Sequence, residues 1–286
     1  MIVSLREVLS IAEKRQIAIG SFNTPSLESV CAVIEAAEEL ALPVIIQMAQ
    51  CHEPLIPLDT IGPIMIEHAR KAHVPVCVHL DHGETFDYLA AALNMGFTSI
   101  MFDGSELSYE ENVQATKRAV EMAAAFGADV EAELGCMGQR EFGDGISQND
   151  GSKIYTDPMQ AKQFVEETKI NALACSFGTT HGIYLKEPKL DFDIVRQVCA
   201  RANGIPVVMH GGSGVGKEDF HEAIRAGVRK INYFTYMDKA GGTACETCLQ
   251  NLQPSEPRFY STLRLAALKA MKENVKQAMK TFALMD

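Results

Sequence analysis

The sequence lacks an apolar run long enough to cross a membrane. A stretch such as Ala41–Ala49 is interrupted by Gln47 and is far shorter than the roughly 20 residues that a spanning helix needs. The first twenty residues mix charged side chains among apolar ones and contain no signal-peptide core. We therefore expect no membrane segment and a cytoplasmic location.

Positive charge is scarce as well. The chain has 26 lysines and arginines against 37 aspartates and glutamates, which gives a formal net charge of −11 at pH 7. Such a field repels nucleic-acid phosphates and anionic lipid heads, so we expect no nucleic-acid partner and no binding to a membrane surface. An anionic substrate would need a local cationic pocket.

The eight cysteines follow no recognisable disulfide framework. They are scattered along the chain, and without an export signal they are typical of reduced cytosolic thiols. Cys245 and Cys248 have the spacing of a redox or zinc-binding pair, but no second pair lies nearby. A structural role for both is the favoured interpretation.

Linkers and exact repeats are also absent from the 286 residues, and an alternation is present instead. Short apolar runs rich in β-branched residues are each followed by a longer stretch with helical spacing. The predicted strands are Ile17–Asn23, Pro43–Met48, Val76–Asp81, Ser99–Asp103, Asp129–Leu134, Ala172–Phe177, Pro206–His210 and Lys230–Thr235. Eight such units in succession indicate a single (β/α)₈ barrel, a TIM barrel, rather than an open sheet.

The segments between the strands carry helix signals. Asp157 followed by Pro158 is typical of a helix N-terminus. Helical spacing of apolar residues predicts helices over Leu27–Leu40, Asp87–Met95 and Glu110–Phe126, and glycines fall where helices should stop at Gly96, Gly127 and Gly227. Residues 1–286 are therefore expected to form one domain, in which 257–286 is a C-terminal helical extension packed outside the barrel or against a neighbouring subunit.

Polar residues concentrate at the carboxyl ends of the predicted strands, where barrels of this type build their active sites. Those at or just beyond the ends are Asn23, Asp81, His82, Asp103, Glu133, His181, His210, Asn232 and Thr235. Three neutral imidazoles with one open position form a catalytic zinc arrangement, so His82, His181 and His210 are predicted to bind zinc. The histidines interpreted as structural or surface residues are His52, His68, His73, His79 and His221.

A glycine-rich loop, Gly211–Lys217, follows the seventh predicted strand and should lead into the N-terminus of a helix. Backbone N–H groups at a helix N-terminus suit a phosphate. The loop nearly matches a nucleotide P-loop, but Glu218 stands where that motif needs a hydroxyl side chain for magnesium. Phosphate binding by the loops after strands seven and eight of a barrel is the better interpretation.

A zinc site beside a phosphate cradle suits proton transfer next to a carbonyl, because the metal polarises the carbonyl and a carboxylate moves the proton. Zinc hydrolases also occur on this fold. These residues alone leave both reaction classes open.

Five motifs, in the same order along nearly the whole chain, resemble the class II, zinc-dependent fructose- and tagatose-bisphosphate aldolases. They are Leu80-Asp81-His82-Gly83, Glu131-Ala132-Glu133-Leu134-Gly135, Gly178-Thr179-Thr180-His181-Gly182-x-Tyr184, Pro188-x-Leu190-Asp191-Phe192 and His210-Gly211-Gly212-Ser213-Gly214. The resemblance implies a ketose-bisphosphate aldolase, a lyase of carbohydrate metabolism such as glycolysis.

The resemblance implies a role for each catalytic residue. His82, His181 and His210 would bind the zinc ion, which stabilises an enediolate. Asp81 would deprotonate the C4 hydroxyl, and Glu141 would exchange the proton on the dihydroxyacetone-phosphate carbon from a polar loop that closes over substrate. Asp103 and Glu133 match second-shell or alternate metal positions.

The resemblance also implies the substrate contacts. The expected substrate-binding residues are Asn23, Gly182, Gly211, Gly212, Ser213, Asn232, Tyr233, Phe234, Thr235 and Arg258. Arg258 would reach the second phosphate from a neighbouring subunit of a homo-oligomer, either a dimer or a tetramer. A monovalent cation, Na⁺ or K⁺, is expected near the phosphate.

Two residues depart from the family pattern. Phe234 stands where relatives carry an aspartate or a small residue, and Ala49 stands where a serine is common. The expected reaction is reversible cleavage of a fructose- or tagatose-type ketose 1,6-bisphosphate to dihydroxyacetone phosphate and glyceraldehyde 3-phosphate. The alternatives are the same chemistry on another 1-phosphoketose, such as a deoxy sugar acid, a zinc hydrolase, or a non-catalytic partner subunit.

Overall fold

The computed structural model describes residues 1–135, 155–180, 189–253 and 255–285. Eight parallel strands form a closed barrel, in which each strand pairs with the next along the chain and the last pairs with the first. The strands are β1 (Ile19–Asn23), β2 (Val44–Ala49), β3 (Val76–Gly83), β4 (Ser99–Phe102), β5 (Asp129–Leu134), β6 (Ala172–Cys175), β7 (Val207–Met209) and β8 (Val228–Tyr233). The predicted (β/α)₈ barrel is confirmed, and no strand bound differs from its prediction by more than two residues.

Ten α-helices lie within the described part of the chain. They are α1 (Leu5–Arg15), α2 (Leu27–Leu40), α3 (Leu58–Lys71), α4 (Phe86–Met95), α5 (Tyr109–Ala124), α6 (Pro158–Thr168), α7 (Phe192–Arg201), α8 (Lys217–Ala226), α9 (Thr235–Gln250) and α10 (Tyr260–Phe282). At the start of α6, the Asp157 side chain accepts hydrogen bonds from the N–H groups of Met159 and Gln160, as predicted. No described helix combines the length and apolar character needed to cross a bilayer.

Helix α1 lies before β1, where the sequence analysis assigned no helix. Ser4 caps it, and the Glu7 carboxylate accepts a hydrogen bond from the Ser4 backbone N–H. One face of α1 is buried with inward-facing strand residues at the amino-terminal end of the barrel. The side chains clustered there are Leu5, Val8, Leu9 and Ala12 of α1 and Ile19, Ile45, Cys77, Ala172, Ala174 and Val208 of the strands. Helix α1 therefore closes the lower end of the barrel.

Above this apolar layer the barrel interior becomes polar. Side chains two residues apart on a strand face the same side, so Glu131 and Glu133 share one face of β5, as Lys230 and Asn232 do on β8. The buried polar residues of the strands include Ser21, Gln47, His79, Asp81, Ser99, Glu131, Glu133, Lys230 and Asn232. This polar layer leads to the carboxyl-terminal mouth.

The expected C-terminal extension is α10, which lies on the outside of the barrel. It contacts α2, α8 and β1, so it fills the eighth place in the ring of helices, and α9 packs on α10. Phe282, at the end of α10, is buried, and its ring lies 4.9 Å from that of Phe220 and 6.0 Å from that of Tyr233 between centroids. These aromatic contacts anchor the helix to the barrel.

We expect Phe282→Ala to lower the free energy of unfolding by about 3–5 kcal/mol, because it leaves a cavity where three rings meet. Urea denaturation followed by circular dichroism measures the change. The matched control is Phe126→Ala, since the Phe126 side chain is 47% exposed, and its cost should stay within about 0.5 kcal/mol. Equal losses in the two variants would contradict the anchoring role of α10.

Candidate active site

The end of β3 presents two consecutive side chains to the barrel mouth. Neighbouring residues on a regular strand face opposite sides, but the pairing of β3 with β4 shifts register between Leu80 and Gly83. His82 lies within this irregularity and has a φ of 44°, in the left-handed region. The bulge brings the Nε2 atom of His82 to 4.0 Å from an oxygen of Asp81. Local backbone strain of this kind is concentrated at functional sites.

His82 and His210 face each other across the mouth. The Nε2 atom of His82 lies 3.0 Å from the Nδ1 atom of His210, which follows β7. The other nitrogen of each ring is held by a carboxylate: Asp103 lies 2.7 Å from His82 Nδ1, and Glu131 lies 2.8 Å from His210 Nε2. A carboxylate on the far nitrogen fixes the tautomer and directs the near nitrogen toward a metal.

The donor set fits a divalent metal such as zinc. Asp81, His82 and His210 each offer one ligand atom within 4.8 Å of the others, and His82, Asp103 and Glu133 form a second group of this kind. The Oε2 atom of Glu133 is buried, lies 3.8 Å from His210 Nδ1, and has no hydrogen-bond partner among the described residues. A cation would satisfy that oxygen, which supports Glu133 as an alternate ligand.

Buried charges set the protonation states around these rings. Burial opposes charge on His82, but the carboxylates of Asp81 and Asp103 raise its pKa to about 10. Burial and the nearby Asp103 carboxylate raise the pKa of Glu133 well above its ordinary value. Burial lowers the pKa of His210. Without a metal, a proton therefore resides at the place where a cation would bind.

We expect Zn²⁺ uptake by protein that a chelator has freed of metal to release at least about one proton at neutral pH. The reason is that metal ligands must be deprotonated and the pKa of His82 is about 10. Below that pKa, the apparent affinity should rise about tenfold per pH unit. Titration calorimetry in buffers with different ionisation enthalpies measures the released protons. Uptake that is independent of pH between 6 and about 9 would contradict this assignment.

Asp81 is held by three amide side chains. One of its oxygens accepts a hydrogen bond from Asn232 Nδ2 at 3.0 Å, and the other accepts from Gln47 Nε2 at 3.0 Å and Asn23 Nδ2 at 3.3 Å. Burial alone would raise the pKa of Asp81, but the positive charge of His82, with His210 and Lys230, holds it well below the usual range. Asp81 is therefore a fixed, ionised carboxylate that can accept a proton.

A small polar pocket opens beside Asp81. Its lining residues are Asn23, Gln47, Asp81, Gly211, Gly212, Ser213, Asn232, Tyr233, Phe234 and Thr235. Gly211 has a φ of 65°, and a Cβ there would lie 2.3 Å from the carbonyl oxygen of Thr180, so the backbone approach requires glycine. Thr235 is the first residue of α9, so a helix N-terminus with its N–H groups meets this pocket.

The glycine-rich loop forms as expected, since Lys217 begins α8. Acidic Glu218 and Asp219 occupy the first turn of α8 and disfavour an anion at that helix end. The Ser213 hydroxyl accepts a hydrogen bond from the Phe234 N–H at 3.3 Å, which joins the loop to the end of β8. The first turn of α9 holds one carboxylate, Asp238, where that of α8 holds two, so Gly211–Ser213 and the start of α9 are the better candidate for a phosphate cradle.

The structure brings most of the predicted site residues to one mouth. Asp81, His82 and His210 meet there, Asp103 and Glu133 border the imidazoles, and eight of the ten predicted substrate-binding residues line the pocket. Arg258 is exposed and is not among the lining residues. The predicted residues that lie outside the described parts of the chain are Glu141, His181 and Gly182.

Three further residues of the site, Gln47, Glu131 and Lys230, are not among those predicted from the sequence. Gln47 donates to Asp81, Glu131 accepts from His210, and the Lys230 ammonium lies 3.0 Å from Glu131. The spacing could have indicated two of these residues. Glu131 lies two residues before Glu133 and Lys230 lies two before Asn232, so each shares a strand face with a predicted site residue. Burial would raise the pKa of Glu131, but Lys230 and His210 lower it to about 2.

Phe234, which departs from the family pattern, forms part of the pocket wall. The ring of the buried His52 packs against it at 4.6 Å between centroids. His52 was interpreted as structural or surface, and this packing agrees with a structural role. The aromatic pair fixes the wall beside Thr235 and restricts the space there.

The family model described as fructose-bisphosphate aldolase class-II matches residues 3–286. The chain belongs to this family. It is therefore an aldolase, a lyase of carbohydrate metabolism, and the family is generally metal-dependent.

The similarity to individual class II aldolase relatives covers nearly the whole chain. A fructose-bisphosphate aldolase of Staphylococcus aureus is 37% identical over 288 residues, which are 98% of this chain and 97% of that protein. A probable fructose-bisphosphate aldolase of Bacillus subtilis is 36% identical over 98% of this chain and 97% of that protein. The crystal structure of the YdjI aldolase from Escherichia coli K12 matches with a TM-score of 0.87 and 34% identity, covering 99% of this chain and 97% of that one.

Proposed function

We propose that the chain reversibly cleaves a fructose- or tagatose-type ketose 1,6-bisphosphate to dihydroxyacetone phosphate and glyceraldehyde 3-phosphate. The observation that carries the proposal is the meeting of an ionised Asp81 and two facing imidazoles, His82 and His210, with a phosphate cradle at one mouth. These are the groups that carbon–carbon cleavage next to a ketone requires. The proposed compartment is the cytoplasm.

The proposed metal is zinc, held by His82, His210 and His181. His181 lies outside the described residues, so its part rests on the sequence resemblance. When bound, zinc supplies a Lewis acid that polarises the ketone and stabilises the enediolate. Asp103 and Glu131 contribute by holding the two described rings with one nitrogen of each directed to the shared position.

Asp81 and Asn232 are proposed to act on the reacting carbons. Asp81 accepts the proton of the C4 hydroxyl, and its low pKa keeps it ionised while three amides fix its orientation. The Asn232 amide donates a hydrogen bond to the enediolate oxygen. Asn23 Oδ1 is buried without a hydrogen-bond partner among the described residues, so it can accept from a substrate hydroxyl. Glu141, outside the described residues, is proposed to exchange the carbon-bound proton.

The phosphate of the dihydroxyacetone half is proposed to lie in the cradle of Gly211–Ser213 and Asn232–Thr235. Backbone N–H groups near the start of α9 can bind its oxygens without a buried cation. Gly182 and a monovalent cation, Na⁺ or K⁺, are proposed to complete this site.

A homo-oligomer, a dimer or a tetramer, is proposed to supply Arg258 to the second phosphate of a neighbouring subunit. Arg258 is exposed at the start of the segment leading to α10, which leaves it accessible to a partner. We expect Arg258→Ala to weaken binding of a doubly phosphorylated substrate by at least about tenfold, since a charge-assisted pair contributes about 1.5–3 kcal/mol. Binding of dihydroxyacetone phosphate should be unchanged. Calorimetry measures both affinities. If binding of the doubly phosphorylated substrate and of dihydroxyacetone phosphate weakened equally, Arg258 would not be the residue that binds the second phosphate.

A second candidate is the same chemistry on another 1-phosphoketose, such as a deoxy sugar acid. Phe234 favours it, because an apolar ring held by His52 cannot hydrogen-bond a substrate hydroxyl. Ala49, at the end of β2, likewise offers no hydroxyl to a distal phosphate. The two candidates differ only in the aldehyde half.

The deciding experiment is synthesis by the zinc-loaded enzyme from dihydroxyacetone phosphate and a panel of aldehydes. A kcat/KM for glyceraldehyde 3-phosphate that exceeds the other acceptors supports the bisphosphate, and a low value supports the second candidate. Proton exchange into dihydroxyacetone phosphate, followed by NMR, tests the reaction class. A zinc hydrolase should show no exchange, and a non-catalytic subunit should show neither exchange nor zinc binding.

A further inference from the structure

Lys230 is a fully buried cation in the barrel interior. Its ammonium nitrogen lies 2.6 Å from Asn232 Oδ1 and 3.0 Å from Glu131 Oε2. An ammonium group donates hydrogen bonds and accepts none, so both neighbouring atoms must be acceptors. Lys230 therefore dictates which end of the Asn232 amide faces it, and it pairs with the Glu131 carboxylate.

The first neighbour is the Asn232 amide. Because Oδ1 faces the ammonium, Nδ2 faces the other way, and it donates to Asp81 Oδ1 at 3.0 Å. The amide is thus held between a group that only donates and a carboxylate that only accepts. The second N–H of Nδ2 remains for a ligand in the pocket that Asn232 lines.

The second neighbour is the Glu131 carboxylate. One oxygen forms an ion pair with the Lys230 ammonium at 3.0 Å, and the other lies 2.8 Å from His210 Nε2. A carboxylate accepts, so Nε2 of His210 carries the proton and the lone pair of Nδ1 points to His82 Nε2, 3.0 Å away. By holding Glu131 in place through this ion pair, Lys230 keeps an acceptor beside His210 Nε2 and so favours this tautomer.

We propose that Lys230 is a positioning residue that fixes both the metal-facing nitrogen of His210 and the pocket-facing N–H of Asn232. The part concerning Asn232 rests on the proposed aldolase function. A purely structural ion pair is the alternative, but well-packed apolar side chains usually match the stability of a buried pair. The specific role of this ammonium is that one group orients Asn232 on its own strand and, through Glu131 on β5, His210 after β7.

Arg229, the preceding residue on β8, provides a matched control. Its buried side chain binds Glu13 and Gln16 of the α1 region and the carbonyl oxygens of Ile224 and Val228. These partners are remote from the catalytic groups. Arg229→Met therefore removes a buried cation from the same strand without touching the site.

The test compares the full-length Lys230→Met and Arg229→Met variants. Side-chain ¹⁵N NMR of the histidines, recorded before and after Zn²⁺ loading, reports the His210 tautomer. In Lys230→Met we expect a mixture of His210 tautomers, zinc affinity lower by about 10–100-fold, and slower proton exchange through kcat rather than KM. Arg229→Met should lower the melting temperature only. An unchanged tautomer with affinity and exchange within about threefold of wild type would overturn the proposal.

Should Lys230→Met fail to fold, the double variant Lys230→Met/Glu131→Gln removes both buried charges together. A glutamine amide can either donate to or accept from His210, so the tautomer should still be mixed. A single Nε2-protonated tautomer with wild-type zinc affinity would overturn the proposal. Absence of proton exchange in the wild type would refute the proposed function instead. The His210 tautomer and the zinc affinity would still test the positioning role of Lys230.

Discussion

His82→Asn should strip most zinc from the protein and lower cleavage by at least about 10³-fold, since a catalytic metal supplies several kcal/mol. His82 Nε2 and His210 Nδ1 lie 3.0 Å apart and face the same proposed metal position. A site with three protein ligands cannot lose one of them without losing metal affinity. Asparagine is the chosen replacement because it tolerates the left-handed backbone that His82 adopts, so the bulge in β3 is kept. Zinc content after gel filtration and the cleavage rate are the measurements.

His73→Asn is the matched control, because His73 is exposed between α3 and β3, at the opposite end of β3 from His82. It should retain zinc and activity. Full zinc occupancy and a normal rate in His82→Asn would rule out His82 as a ligand.

Asp81→Asn should slow cleavage by about 10²–10⁴-fold, the usual share of a positioned acid–base group, while zinc stays bound. The substitution removes the ionised carboxylate and also places an N–H₂ group where the amides of Gln47, Asn23 and Asn232 all donate. Proton exchange into dihydroxyacetone phosphate should fall less than cleavage, since Asp81 acts on the C4 oxygen.

Glu141→Ala should show the reverse pattern, with zinc retained and exchange slowed by at least about 100-fold. The surface substitution Asp59→Asn, on the exposed side of α3, controls for loss of one carboxylate. If Asp81→Asn and Glu141→Ala affected exchange and cleavage in equal proportion, the division of proton transfers between them would be wrong.

The fold could be predicted because parallel strands buried on both faces read as continuous apolar runs. Leu27–Leu40 and Asp129–Leu134 have the predicted bounds. Helix α1 escaped prediction although its signals were present, namely the Ser4 and Glu7 capping pair and apolar residues at helical spacing. Its mixed charges were interpreted only as the absence of a signal peptide.

The candidate site was predicted as far as strand ends and motifs allow. His82 and His210 converge, but no sequence pattern indicates that a bulge turns His82 into the left-handed region so that it joins Asp81. The partnership of Lys230 with Glu131 joins β8 to β5 across the barrel, a distance relation that periodicity within one strand cannot supply. The roles of His181, Gly182 and Glu141 stay predictions.

The closure of the lower end of the barrel by helix α1 has a consequence for the kinetics of product release. Because α1 and the packed side chains of the barrel interior cover the amino-terminal end, substrate and products must enter and leave through the carboxyl-terminal mouth. The two cleavage products cannot leave the site in opposite directions. The product that lies nearer the mouth must therefore dissociate first. Product release should then be ordered, and excess of the first-released fragment should trap its companion by driving the reaction backward.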